Sequence, residues 1–162
     1  MVTQPRALFT LCGTWTLDPL LPVFGFWRGH LGLDADVELS PYAQLFQHLL
    51  DPGSALRRNR HGVNFVCLRW EDLLPQAAPA AAAIDAALAA RVEELAAALS
   101  GFDHAVPCLV LAGPSEPARA ASKAANAMLA EKLSDVANVR MLDGNEALQR
   151  YGVVHGFDAA SD

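Results

Sequence analysis

Two short turns hold the residues best placed for chemistry. One is Gly13-Thr14-Trp15-Thr16-Leu17-Asp18-Pro19, which follows the apolar run Ala7–Cys12; the other is Arg69-Trp70-Glu71-Asp72, which follows Val63–Leu68. Each run reads as a buried strand, and in an open α/β sheet ligands bind in the crevice outside strand C-terminal ends. Thr14 and Thr16 bring hydroxyls that can bind or attack a ligand. A threonine nucleophile needs a base within hydrogen-bond reach, and none stands nearby in sequence; the alternative role is helix capping or turn stabilisation. Arg69 brings a planar fork that fits a phosphate or a carboxylate. With Glu71 and Asp72 beside it, the alternative is an internal ion pair that orders the turn. Trp15 and Trp70 are placed to wall a shared pocket, with core packing as the alternative.

Tyr42 and Gln44 stand at the start of a helical pattern, at the same sheet end as Thr14, and are further binding candidates; surface hydrogen bonding or capping is the alternative. Cys12, Cys67 and Cys108 all lie in or at the end of apolar runs and read as buried free thiols. No zinc spacing is present. His30, His48, His61, His104 and His155 show no ligand spacing, so the expectation is no metal and no cofactor.

The elements that must position these turns alternate along the chain. Pro19 to Leu31 carries Leu20, Val23, Phe24, Trp27 and Leu31 at helical spacing, which predicts one apolar face with Trp27 in the core. Asp18 reads as its N-cap, Pro19 as its first position, and Gly32 as its end. Asp34–Leu39 alternates Ala35, Val37 and Leu39 with Asp34, Asp36 and Glu38, the pattern of a half-buried edge strand. Ser40-Pro41 opens the next helix, with Leu45, Phe46, Leu49 and Leu50 as its apolar face. The stretch 75–83 reads as a loop into a long helix built on Ile84, Leu88, Val92, Leu95 and Leu99. That helix is rich in alanine, and its Ala-covered side either accepts a partner helix or reflects helix propensity alone. Val106–Ala112 is a third buried strand. Ser115 or Glu116 precedes a helix to about Leu133, Val139–Leu142 is a last strand, and Glu146–Tyr151 a last helical turn or two.

Right-handed crossovers place this order as an α/β fold, a three-layer α/β/α domain with a doubly wound, mainly parallel five-stranded sheet. The first and third strands are expected to be adjacent at its centre. The 162 residues are enough for one domain with a sizeable core. With 52% hydrophobic and 19% charged residues the chain is globular. A net charge of −6 argues against a nucleic-acid partner. Arg57, Arg58 and Arg60 form the one basic cluster and read as a solvated loop. No signal-peptide core and no run near the ~20 apolar residues of a membrane span is present, so a cytoplasmic setting without a membrane partner is expected.

Several stretches resemble the N-terminal domain of FkbH-like proteins of polyketide and nonribosomal peptide assembly lines. They are Thr14–Leu20, Phe26-Trp27, Leu31–Leu33, the long block Val37–Pro52, Arg58–Asn64 and Leu68–Asp72. The block around Pro41-Tyr42-Ala43-Gln44-Leu45-Phe46-Gln47 is the most specific, and the resemblance weakens from Pro75 onward. It implies an SGNH-hydrolase-like fold. An SGNH enzyme sets a serine in a Gly-Asp-Ser turn after the first strand, where this chain has Gly13-Thr14-Trp15-Thr16. It sets an oxyanion-donating asparagine after the third strand, where this chain has Arg69–Asp72. Its Asp-x-x-His pair lies near the C-terminus; Asp158 and Asp162 stand there without the histidine in position, and the family's segment continues past Asp162. The family's phosphatase-like domain needs a DxDxT-type motif, which is absent. The resemblance therefore implies an accessory or recognition domain that binds an acyl or peptidyl carrier protein, its acyl group or a neighbouring assembly-line domain. The alternative is a diverged acyl hydrolase or acyltransferase using Thr14 or Thr16.

Overall fold

The computed structural model describes residues 6–74, 81–113 and 119–152. The apolar runs flanking the two turns form β1 (Ala7–Gly13) and β3 (Gly62–Leu68). Between them lie α1 (Leu21–Leu31), the edge strand β2 (Ala35–Leu39), α2 (Leu45–Leu50) and α3 (Ala55–Arg58). After β3 come α4 (Ala81–Ser100), β4 (Cys108–Ala112), α5 (Arg119–Leu133), β5 (Val139–Asp143) and α6 (Gly144–Arg150). The sheet is five-stranded and parallel throughout, in the order β2-β1-β3-β4-β5. This is the expected α/β fold, consistent with three layers: β1 and β3 are neighbours, β3 is central and β2 is an edge. The alternation read in β2 holds, with Ala35 buried and Asp36 and Glu38 exposed. The chain steps outward from β1 to β2 and then in the opposite direction from β3 to β5. The switch point of the topology, where such sheets open a crevice, lies between β1 and β3.

The two sheet faces are built differently. On the first, Leu45 and Leu49 of α2, Leu56 of α3, Leu88, Val92, Leu95 and Leu99 of α4, and Ala125, Leu129 and Leu133 of α5 form one buried core with Cys12, Val66, Leu68, Cys108 and Val110. Trp70 belongs to this core and is fully buried. Its indole N–H donates to Oδ1 of Asn126 at 2.6 Å, which supplies the partner a buried indole requires. At the N-terminal end of the sheet, buried Asn64 accepts from Thr10 Oγ1 at 2.6 Å and from Asn59 Nδ2 at 2.9 Å, and donates to the Leu56 carbonyl. That network fixes α3 to β1 and β3. Gly62, at φ 140°, completes the fit, because a Cβ there would lie 2.1 Å from the Leu8 carbonyl oxygen.

The second face carries a smaller cluster, Leu11, Leu17 and Cys67, ringed by Phe9, Trp15, Leu20, Phe24, Val37, Leu39, Phe65 and Leu111. Phe9, Phe24 and Phe65 meet edge to face or tilted at centroid distances of 5.4–6.0 Å.

Several local expectations need correction. No residue of α1 is fully buried, and Trp27, expected in the core, is half exposed. Helical spacing predicts a face, but only Phe24 of this helix reaches the phenylalanines of the sheet. Asp18 does not cap the helix: Asp18–Leu20 form a 3-10 turn whose N-cap is Leu17, and α1 starts at Leu21 with Pro22 in its first turn. Helix α2 begins at Leu45, not at Ser40-Pro41, because Ala43 adopts φ 57° and Gln44 is the N-cap residue. Arg57 and Arg58 lie on α3, not in a solvated loop. Arg57 donates to the Leu50 carbonyl and stacks over Phe102, and Arg60 donates to the Arg57 and Asn59 carbonyls. The expected helix start at Ser115 or Glu116 falls outside the described residues. So do the loop at 75–80, His155, Asp158 and Asp162.

Candidate functional site

The two turns do meet at the switch point, as the topology requires. Gly13 pairs in register with Cys67, and a Cβ on Gly13 would sit 2.7 Å from the Cys67 carbonyl oxygen, so glycine lets the strand ends close on each other. One residue on, the Thr14 N–H donates to the Cys67 carbonyl at 3.1 Å. The Thr14 hydroxyl accepts from the Arg69 N–H at 2.9 Å and donates to the Arg69 carbonyl at 3.3 Å. Both hydrogen-bonding directions of the hydroxyl are thus used by the facing backbone, and Thr14 is buried. It is a strap across the crevice. A nucleophilic hydroxyl would need its proton directed at a base; this one points its proton at a peptide carbonyl.

The other candidates disperse around the strap. Arg69 holds Asp72 in a forked ion pair, with Nη2–Oδ1 at 2.7 Å and Nε–Oδ2 at 3.0 Å. This is the turn-ordering pair that the sequence left open as an alternative to an anion clamp. Glu71 sits in the same 3-10 turn as Trp70. Trp70 points into the first-face core and lines no crevice. Thr16 is exposed. Tyr42 is exposed beyond the end of β2, and Gln44 is the α2 N-cap residue but makes no side-chain cap bond. Of the nine residues singled out, Trp15 lines an open cavity.

That cavity measures about 590 Å³ and lies at the C-terminal ends of β3, β4 and β5. Trp15, Leu20, Cys67, Leu111, Met141 and Leu142 make its apolar walls. Asp143, Gly144, Glu146, Ala147, Arg150 and Tyr151, from the end of β5 and from α6, complete the lining with a polar rim. Its size falls in the range of small-molecule pockets, and apolar walls with few polar groups are their usual composition. Asp143 caps α6 by accepting from the Asn145 N–H at 2.8 Å. Sequence reasoning named α6 as an element but missed its residues as site residues. The available signal was the same rule that flagged β1 and β3, applied to the C-terminal end of β5.

The cavity's polar side chains, Asp143, Glu146, Arg150 and Tyr151, stand at its rim, and its walls are apolar. Cys67 is its one thiol, and burial pushes the Cys67 pKa up to about 12, so it stays a protonated, unreactive group at neutral pH. Cys108 is likewise pushed up to about 12 by burial, and Cys12 is raised well above its ordinary value by burial first and by the neighbouring thiols second. All three are free and buried, as their strand positions predict. Among the described residues, no group of three or more His, Cys, Asp and Glu is placed to hold a metal ion. Nor, among the described residues, is any helix long and apolar enough to cross a membrane. No protein-family model matches this chain, and no curated protein matches it.

Proposed function

We propose that this chain is a non-catalytic, SGNH-like recognition domain, and that the cavity beside Trp15 receives an apolar acyl group presented by a carrier protein. The observation that carries the reading is the division of labour at the sheet's C-terminal edge. The switch-point hydroxyl, Thr14, is consumed by the Arg69 backbone, while an apolar cavity stands open next to it. Acyl-enzyme chemistry needs a nucleophile, a base and oxyanion donors together. Acyl recognition needs only apolar walls and a polar rim, and Arg150 on that rim is a cation of the kind that pairs with a phosphate on the arm.

The resemblance to FkbH-like proteins supplies the proposed setting, an assembly line for polyketides or nonribosomal peptides in the cytoplasm. The test is a titration of a carrier protein in its apo, phosphopantetheinylated and medium-chain acylated forms, with hydrolysis of an activated ester followed in parallel. The expected result is tightest binding of the acylated form and ester turnover at background. Equal affinity for all three forms would remove acyl recognition. Turnover abolished by Thr14→Ala or Thr16→Ala would establish a diverged hydrolase instead.

A further inference from the structure

We infer that the outer face of α1 is the contact surface of a symmetric dimer of this chain. This surface is separate from the cavity, and the inference does not rest on the proposed function. Leu21, Val23, Phe26, Trp27, Leu31 and Leu33 are 40–64% exposed, all within or just after one helix. With ~150–250 Å² for each free aromatic side chain and somewhat less for leucine and valine, they leave on the order of 500 Å² of apolar surface uncovered. The largest apolar patch on a typical monomer is about 300–600 Å² and is often functional. A stable interface takes about 800 Å² from each partner, so this patch with a modest polar rim is of dimer size.

The patch is also ordered internally. Phe26 and His30 stack at 5.7 Å and 7° between planes, and Trp27 sets its edge against both rings. Beside this aromatic row runs an open groove floored by Gly25, Gly29 and Gly32. A Cβ on Gly25 or Gly29 would touch nothing within 4 Å, so these glycines answer to no contact in the single copy. A helix pressed against them can approach closely.

Charge favours a second copy as the occupant. The chain carries −6 overall, which makes most of its surface repel a copy of itself, but α1 contains no acidic residue. The groove is flanked by one residue of each sign, Arg28 and Asp34. Arg28 has no ion pair among the described residues, and its Nε is buried without a hydrogen-bond acceptor. Asp34 is held by Arg6 of its own copy through one carboxylate oxygen, at 2.7 Å; a twofold interface brings the same patch to itself, so the guanidinium end of each copy's Arg28 can meet the other oxygen of Asp34 of the partner subunit.

The experiment is sedimentation velocity of the full 162-residue chain over a wide concentration range. Wild type is compared with Phe26→Glu and Gly29→Gln. Phe26 is exposed and Gly29 has open space, so both variants keep the fold, which circular dichroism checks. Wild type is expected to reach twice the chain mass, Phe26→Glu to stay monomeric, and Gly29→Gln to dissociate at least tenfold more readily while its monomer melts no lower. A wild type that stays monomeric at every concentration overturns the inference. So does a dimer whose dissociation constant neither substitution changes.

Discussion

The two faces of the sheet use similar residues to opposite ends. On the first face, α2 to α5 bury a continuous core in which two polar links run from element to element: Trp70 donates to Asn126, and Asn64 serves Thr10, Asn59 and Leu56. On the second face, α1 brings Phe24 to the sheet but leaves Phe26, Trp27 and Leu31 outside, and a cavity stays open between Trp15 and α6. Close packing leaves few voids larger than a water molecule in a finished core. The second face departs from that rule in both its helix and its cavity, and the proposed function places binding there. The comparison teaches that the two sides of one sheet are finished differently, one closed by four helices and the other left with an open cavity and an uncovered helix face.

The sharpest way to break the comparison is to substitute on the packed side. Trp70→Ala should cost about 3–5 kcal/mol, the usual range for removing a fully buried aromatic, read by denaturant unfolding. A loss below about 1 kcal/mol, as expected of an exposed residue, would move Trp70 out of the core. Asn126→Leu should cost about 1–3 kcal/mol, because it leaves the buried Trp70 indole N–H without an acceptor. Here the added control is the double substitution Trp70→Phe with Asn126→Leu, which removes both partners and should recover part of the loss.

A smaller effect comes from His104, buried at the start of the loop before β4. Its Nε2 lies 2.7 Å from the Leu99 carbonyl oxygen, and its Nδ1 is buried with no partner. Burial, foremost, lowers its pKa below the ordinary value; Arg57 adds to that, while the Leu99 bond and Asp103 oppose it. The folded state therefore binds this proton less readily than the unfolded chain. The contribution is fully present above the unfolded value, about 6.5, and is lost as pH falls through that value toward the folded one. Stability should decline with acidification in this window, and His104→Gln should flatten the decline. An unchanged slope in His104→Gln would contradict the assignment.

Much of this architecture was legible in the sequence. Apolar runs marked β1, β3 and β4 and set β1 beside β3 at the centre, the alternation of Asp34–Leu39 marked an edge, and the crossover rule gave the layered, parallel architecture. Gly32 was read as the end of α1, and it is the C-cap at φ 63°. What failed was the partner of each pattern. The stripe on α1 predicted a face but not whether anything would cover it, and so Trp27 was placed in the core. Trp70 follows the same strand that ends at the crevice, yet one residue of 3-10 turn sends its ring to the opposite side. The strap from Thr14 to Arg69 uses backbone groups, which carry no sequence signature. The cavity is assembled from residues more than a hundred positions apart, Trp15 and Arg150 among them, and only the closed sheet brings them together.

The central claim is that ligand recognition belongs to the cavity side and not to the switch-point hydroxyl. It is tested most directly by calorimetric titration of an acylated carrier protein into wild type, Ala147→Trp and Thr14→Val. Ala147 is exposed on the cavity lining, so tryptophan there occupies the space with little effect on stability. The account predicts that Ala147→Trp loses binding at least tenfold, while Thr14→Val, checked to be folded, binds as wild type does. Binding that survives Ala147→Trp and disappears in Thr14→Val would contradict it.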